Sequence, residues 1–119
     1  MKKTIAIVCI YFFTLHCLAQ SHDSISAKPD ATKKIQLAEA ACGQCMFDMP
    51  GKGCDLAIRI DGKSYYVDGT DLNSHGNAHA EDGFCLAIRK AEVQGEVVNN
   101  RFNATYFKLV PSEPVKGNK

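Results

Sequence analysis

The segment that decides the fold is LAIRIDGKSYYV, residues 56–67. Apolar and polar residues alternate in both of its halves, and Asp61-Gly62 lies between them. Alternation with a period of two predicts strands with one buried face, and Asp-Gly is a strong signal for a two-residue hairpin turn. The turn sets Ile58 opposite Tyr65 on the apolar face. We therefore predict a β-hairpin whose register is fixed by its turn.

A second hairpin is predicted from residues 91–98 and 101–110. Asn99 and Asn100 lie between the two strands, and asparagine tolerates the positive φ that this turn requires. The register pairs Val97 with Phe102, Gly95 with Ala104 and Val93 with Tyr106 on an inward face, and it pairs Gln94 with Thr105 on a polar outer face. Phe107 and Leu109 then point outward and need a bulge, the helix or a partner to cover them.

Two further segments complete the domain. Residues 35–41 predict a first strand, and residues 84–90 have the composition of a short helix with Asp82 as its N-cap. The order β-β-β-α-β-β matches a small five-stranded OB-like barrel, so we predict a mainly β domain over residues 35–110. An open sheet with one helix packed on it is the alternative.

The segments outside this domain have different compositions. Residues 1–19 have the basic, apolar and small-residue pattern of a signal peptide, with cleavage after Ala19. We therefore predict an exported protein, periplasmic or secreted. The apolar run is shorter than the roughly 20 residues that a bilayer needs, so no membrane span is expected after cleavage. Residues 20–34 and 111–119 are polar, which predicts a disordered arm and a disordered tail.

The charge balance argues against nucleic acid as a partner. The whole chain has 14 Lys and Arg residues against 13 Asp and Glu residues. Loss of Lys2 and Lys3 with the signal peptide leaves 12 basic residues against 13 acidic ones. The remaining sequence contains no basic tract, so we expect neither nucleic acid nor an anionic membrane surface as a ligand.

Four cysteines follow the signal peptide: Cys42, Cys45, Cys54 and Cys85. The predicted topology brings the end of the first strand, the start of the second and the loop after the third to one pole of the domain. An even number of cysteines in a small exported domain is typical of disulfides. We therefore expect two disulfides, which join Cys42 and Cys45 to Cys54 and Cys85 and contribute about 2–4 kcal/mol each.

A metal site is the first alternative. The Cys42-x2-Cys45 spacing presents two thiolates to one ion, and Cys54 with Cys85 would complete a tetrahedral Cys₄ set for zinc. His79 could replace one of these ligands. Two nearby methionines could favour a softer ion such as copper. The cofactor expectation is thus none for the disulfide interpretation and zinc for the metal interpretation.

A redox site is the second alternative. The C-G-Q-C motif resembles the dithiol of thioredoxin-like oxidoreductases, with Cys42 and Cys45 as its two thiols. Such motifs open a helix that lowers the pKa of the first thiol. Residues 48–51, Asp-Met-Pro-Gly, argue against that helix.

Further ligand candidates lie at the same pole. The first hairpin sets Asp55 opposite Asp68, and two facing carboxylates repel each other unless water screens them or a cation lies between them. The loop after the third strand adds two histidines. These additional metal-ligand candidates are His75, His79, Asp55 and Asp68.

Several spaced motifs together resemble a family of small exported bacterial proteins of unknown function. They are C-G-Q-C, G-K-G-C-D-L-A, D-G-K-S-Y-Y-V-D-G, H-A-E-D-G-F-C and A-E-V-Q-G-E-V. The resemblance as a whole covers about residues 38–110. The resemblance implies one small exported domain. It implies no activity, because the function of the family is unknown.

The function predicted from the sequence is a non-enzymatic exported binding module with a cysteine-rich pole. OB-like barrels often bind oligomers on the face of strands two and three, where Arg59 and Tyr66 point outward. A small molecule, saccharide or peptide is the expected ligand.

Overall fold

The structure is a computed structural model that describes residues 25–111. Its strands are β1 (Gln36–Cys42), β2 (Leu56–Ile60), β3 (Lys63–Asp68), β4 (Arg89–Val98) and β5 (Arg101–Leu109). They form a closed barrel in the order β1-β2-β3-β5-β4, in which β4 returns to pair with β1. The pairs are antiparallel apart from β3 and β5, which run parallel. This confirms the mainly β, OB-like barrel and excludes the open sheet.

The first hairpin has the predicted register, with Ile58 opposite Tyr65. The second hairpin keeps its predicted register from the turn back to Gly95, with Val97 paired with Phe102 and Gly95 with Ala104. A bulge between Gln94 and Gly95 then shifts the pairing by one residue. A β-bulge places two residues against one and bends the strand.

The bulge changes which residues of β4 and β5 face the core. Val93 pairs with Phe107 instead of Tyr106, and Phe107 is buried instead of pointing outward. Gly95 lies at the bulge, where a Cβ atom would collide with the carbonyl oxygen of Asn103. Glycine at this position allows the close approach of the two strands.

The interior of the barrel contains the apolar residues of the alternating strands. Its largest fully buried apolar side chains are those of Phe102, Ile58 and Val93. Val97 was predicted to face inward but is 50% exposed, because it lies beside the hairpin turn and beyond the packed interior. The predicted alternation therefore holds in the body of the barrel and fails at the tip of the hairpin.

Helical structure does not lie where the sequence predicts it. A single-turn helix, α1 (Gly43–Met46), follows β1, and a 3₁₀ turn (Leu72–His75) follows β3. Residues 84–90 contain no helix, since backbone hydrogen bonds to the Gly83 carbonyl close a turn and β4 already begins at Arg89. Pairing with β1 outweighs the local helix preference of this segment.

Part of the predicted arm packs on the barrel. Residue Ser26 forms a bridge to Tyr106 of β5, and Asp30 lies against Gln94 of β4. The structure thus differs from the prediction of a disordered arm for residues 25–34. Residues 1–24, with the predicted signal peptide, and residues 112–119 of the predicted tail lie outside the described part. Within residues 25–111, no helix is long and apolar enough to cross a membrane.

The arm explains why Gln94 is buried rather than on a polar outer face. Only 1% of Gln94 is exposed. Its Oε1 atom accepts a hydrogen bond from the Asp30 backbone N–H at 2.8 Å, and its Nε2 atom donates to the backbone carbonyls of Asp30 and Lys33 at 2.9 Å each. A buried amide of this kind is stable because all these groups are paired.

We predict that Gln94→Ala lowers the free energy of unfolding by about 1–3 kcal/mol, because it removes the three hydrogen bonds that hold the arm. Urea denaturation measures this loss. Limited proteolysis should also cut residues 25–34 faster in the variant. The matched control is Gln36→Ala, because Gln36 is only partly buried and makes no side-chain hydrogen bond within residues 25–111. Equal losses in the two variants would contradict this role of Gln94.

Candidate metal centre at the cysteine pole

Antiparallel pairing of β1 and β2 brings the first cysteines together. Cys42 ends β1 opposite Leu56, so Cys54 lies next to it, two residues before β2. The Gly43 backbone N–H donates to the Asp55 carbonyl at 2.8 Å and joins the start of α1 to the same point. Cys45 follows in α1, and its backbone N–H donates to the Sγ atom of Cys42 at 3.4 Å.

The loop after β3 supplies the fourth cysteine. The backbone N–H of Cys42 donates to the Phe84 carbonyl at 2.9 Å, and the N–H of Cys85 donates to the Ala78 carbonyl at 2.9 Å. The side chains of Phe84 and Ala78 are buried in the core. Hydrogen bonds and packing therefore hold Cys85 beside the end of β1.

The four cysteines lie together, as the topology predicts; we call Cys42, Cys45, Cys54 and Cys85 the cysteine pole. Their Sγ atoms all lie within 4.8 Å of one another. The Sγ atom of Cys54 is 3.9 Å from that of Cys45 and 3.1 Å from that of Cys85. Cys42 is buried, Cys54 and Cys85 are partly buried, and Cys45 is exposed.

One disulfide is present in the cysteine pole. It joins Cys42 to Cys54, whose Cα atoms are 5.6 Å apart. This bond agrees with one of the predicted bridges, while Cys45 and Cys85 are thiols. The predicted redox pair Cys42–Cys45 is not bonded. The motif nevertheless begins a single helical turn, because the Phe47 N–H donates to the Gly43 carbonyl at 3.1 Å, and this turn ends before residues 48–51.

The surroundings of Cys85 favour its neutral thiol in the absence of a cation. Burial raises the pKa of Cys85 above its ordinary value, and the nearby Cys45 raises it further through its charge and a hydrogen bond. The thiolates of Cys45 and Cys85 would repel each other, because their Sγ atoms lie within 4.8 Å. A bound cation would offset this repulsion.

Each of the two aspartates of the first hairpin, Asp55 and Asp68, has a hydrogen-bond partner within the domain. No cation between them is therefore needed. Asp68 accepts hydrogen bonds from the guanidinium of Arg101, at 2.9 to 3.1 Å from both carboxylate oxygens. The Oδ2 atom of Asp55 accepts a hydrogen bond from the Gln44 amide at 2.7 Å, and the charge of Asp55 adds to the larger effect of Asp68 in raising the pKa of Arg101. Arg101 therefore places a positive charge beside Asp68, which is the role that one of the two alternatives gave to a bound cation.

The two histidines have separate positions. His75 is partly buried against the rings of Phe84 and Phe107, with centroids 6.1 and 4.5 Å away, and one ring nitrogen lies 2.8 Å from the Thr70 hydroxyl. Burial lowers the pKa of His75, and the charge of Asp71 opposes this shift. His79 is exposed and lines a cleft beside the cysteine pole. Neither histidine belongs to the four-sulfur group.

The two residues of the predicted ligand face are engaged within the domain. Arg59 pairs with Glu39 on β1, and its guanidinium lies over the Phe47 ring. The Tyr66 hydroxyl donates to the Pro50 carbonyl at 2.5 Å. These contacts hold the loop after α1 onto β2 and β3, so this face supports the cysteine pole.

Residues 36–110 match the sequence pattern of a family of unknown function, DUF6370. The chain belongs to this family. The matched range covers the whole barrel and all four cysteines of the pole. No curated protein and no solved structure matches the chain.

Sequence reasoning missed one residue that shapes the pole of this DUF6370 protein. Gln44 lies inside the C-G-Q-C motif, and its side-chain amide makes two hydrogen bonds to Asp55. The Nε2 atom donates to the Asp55 carboxylate, and the Oε1 atom accepts from the Asp55 backbone N–H at 2.9 Å. This paired contact fixes α1 against the start of β2. In the sequence, Gln44 is recognisable only as an amide residue between two cysteines. That position does not predict that Asp55 is its hydrogen-bond partner.

For this DUF6370 protein we predict that Asp68→Asn leaves the thermal response to calcium unchanged, because Arg101 already neutralises the carboxylate. The same variant should lose up to about 1 kcal/mol of stability, since the two side chains are 50% and 46% exposed. Differential scanning fluorimetry with and without calcium measures both effects. Calcium stabilisation that is present in the wild type and lost in Asp68→Asn would contradict this assignment.

Proposed function

We propose that this protein is an exported module that binds a thiophilic cation, with Zn²⁺ as the first choice, through the cysteine pole. The observation that carries the proposal is the approach of four Sγ atoms to within 4.8 Å of one another. Four cysteine thiolates form a common closed ligand set for zinc.

The distances support a single ion bound by all four sulfurs. A Zn–S bond is about 2.3 Å long, so two sulfurs of a tetrahedral site lie about 3.8 Å apart. The Cys45–Cys54 separation of 3.9 Å already has this value, and the Cys54–Cys85 separation of 3.1 Å is shorter. Once the Cys42–Cys54 bond is reduced, small side-chain rotations would equalise the distances.

The redox state decides whether the cation can bind. A disulfide between Cys42 and Cys54 leaves the thiols of Cys45 and Cys85, which are too few for a closed tetrahedral site. Reduction by two electrons and two protons gives four thiols, and these lose their protons when the metal binds. The proposed activity therefore belongs to the reduced form.

The ligand set supports binding rather than catalysis. Catalytic zinc sites keep a coordination position open for water or substrate, whereas four protein ligands close the site. The cysteine pole offers four sulfurs, and His75 and the Asp68 carboxylate have other partners. We infer a non-enzymatic module that carries or stores the cation.

A second candidate function follows from the Cys42–Cys54 bond: a binding module that uses the cysteines only as disulfides. This bond closes a loop with a sequence separation of 12, which corresponds to about 3 kcal/mol of stabilisation. A second bond between Cys45 and Cys85 would complete the set. An oxidising compartment outside the cytoplasm would favour this state.

The experiment starts from protein reduced with a phosphine, which removes the disulfide without adding a competing thiol. We predict that one equivalent of Zn²⁺ adds one ion by native mass spectrometry and raises the melting temperature. Cys85→Ser should weaken zinc binding by more than about tenfold, since even the loss of an outer-shell partner costs about 10–100-fold.

The matched control is Ala87→Ser, which adds the same hydroxyl in the same loop and should bind zinc like the wild type. Alkylation of the protein as isolated separates the two candidates. Four reactive thiols with one zinc support the metal function. Absence of zinc binding by the reduced wild type, with all four cysteines oxidised as isolated, would reject it in favour of the disulfide module.

A further inference from the structure

A polar cleft of about 350 Å³ opens directly beside the cysteine pole. Cys54 and Cys85 lie on one side of it, and their Sγ atoms are 3.1 Å apart. Asp55, Asp71 and His79 are among the other lining residues, and all three are exposed. Two of the four sulfurs can therefore be reached from solvent through this cleft.

The charges around the cleft favour a cation. Arg101 also lines the cleft, but its guanidinium is held by Asp68. Neither Asp71 nor Asp55 forms an ion pair with a Lys or Arg side chain among the residues that the structure describes, although the charge of Asp55 contributes to the raised pKa of Arg101. The Oδ1 atom of Asp71 accepts hydrogen bonds from Asn73 and Ser74 at 2.9 to 3.0 Å, and these bonds keep the pKa of Asp71 below its ordinary value. The two carboxylates leave the wall of the cleft with a negative charge.

We propose that this cleft is the route by which the cation reaches and leaves the cysteine pole, with Asp55 and Asp71 attracting it toward Cys54 and Cys85. The inference rests on the proposed function, because it concerns the access to the same metal site. An excess of one sign of charge around a cleft raises the local concentration of the opposite ion and its association rate.

The exposed thiol of Cys45 offers a competing route on the other side of the pole. Cys45 does not line the cleft, and Asp48 is the acidic residue nearest to it in sequence on that side. Asp48 has a positive φ of 54°, a conformation that asparagine also adopts readily. Asp48→Asn is therefore a matched test of the competing route, with the same loss of charge.

The first experiment measures zinc loading of the reduced full-length protein by stopped flow with a zinc indicator. We expect Asp55→Asn/Asp71→Asn to load zinc about 3- to 10-fold more slowly at low ionic strength, with a smaller difference at high salt. Asparagine can still accept the hydrogen bonds that both aspartates make, and it caps the 3₁₀ turn as aspartate does. Asp48→Asn should load zinc at the wild-type rate.

The second experiment narrows the cleft. Asn73 is an exposed lining residue, and Asn73→Trp should slow zinc loading and the removal of zinc by a small chelator by the same factor. The dissociation constant should then stay unchanged, because a narrowed route acts equally in both directions.

The possible outcomes distinguish a failure of the cleft as the access route from a failure of the cysteine pole to bind zinc. Wild-type rates in both cleft variants, or slowing in Asp48→Asn alone, would overturn the cleft as the route while zinc binding itself stands. Failure of the reduced wild type to bind zinc would reject the proposed function and the route with it.

Discussion

The antiparallel pairing of β1 with β2 is the constraint on which the cysteine pole depends. It sets Cys42 opposite Leu56 and so fixes the end of the first strand beside the residues that precede the second. Cys42 and Cys54 meet because of this register. A shift of one residue would turn every side chain of the strand to the other face, and Cys42 would leave the pole.

Closure of the barrel adds the other parts of the pole. The parallel pairing of β3 with β5 fixes Asp68 near Asn103, and the loop from residue 69 must then cross the open end of the barrel before β4 begins. Phe84 anchors this loop in the core, and the Phe84 carbonyl binds the backbone N–H of Cys42. The position of Cys85 is therefore a consequence of barrel topology as much as of its own sequence.

The local signals in the sequence predicted the hairpins well. Asp61, Asn99 and Asn100 all adopt positive φ, as two-residue turns require, and the pairing beside both turns has the predicted register. The order of elements then sufficed to predict the barrel and the convergence of four cysteines. These features depend on residues that are near in sequence or on the direction in which strands must run.

Contacts between segments that are distant in sequence account for the features that the sequence failed to predict. The burial of Gln94 depends on Asp30, which is 64 residues away, and polarity alone predicted an exposed side chain. Residues 84–90 include helix-forming residues, but Arg89 and Lys90 already pair with β1 and end the segment in a strand. The partner of Cys42 could not be read from the spacing either, because Cys45, Cys54 and Cys85 all lie within reach of its sulfur.

The barrel carries at one end a cluster of sulfurs whose chemistry changes with oxidation. Oxidised, the cluster closes a loop and stabilises the domain. Under the proposed function, the reduced cluster is a ligand set whose four members are already near one another. Such preorganisation lowers the ordering cost of binding, because strands and core packing have fixed the ligands beforehand.

X-ray absorption at the zinc edge tests this account most directly. The reduced protein loaded with one equivalent of Zn²⁺ should show a single shell of four sulfur atoms at about 2.3 Å. A shell of nitrogen and oxygen atoms, or fewer than four sulfurs around the ion, would contradict the cysteine pole as the binding site.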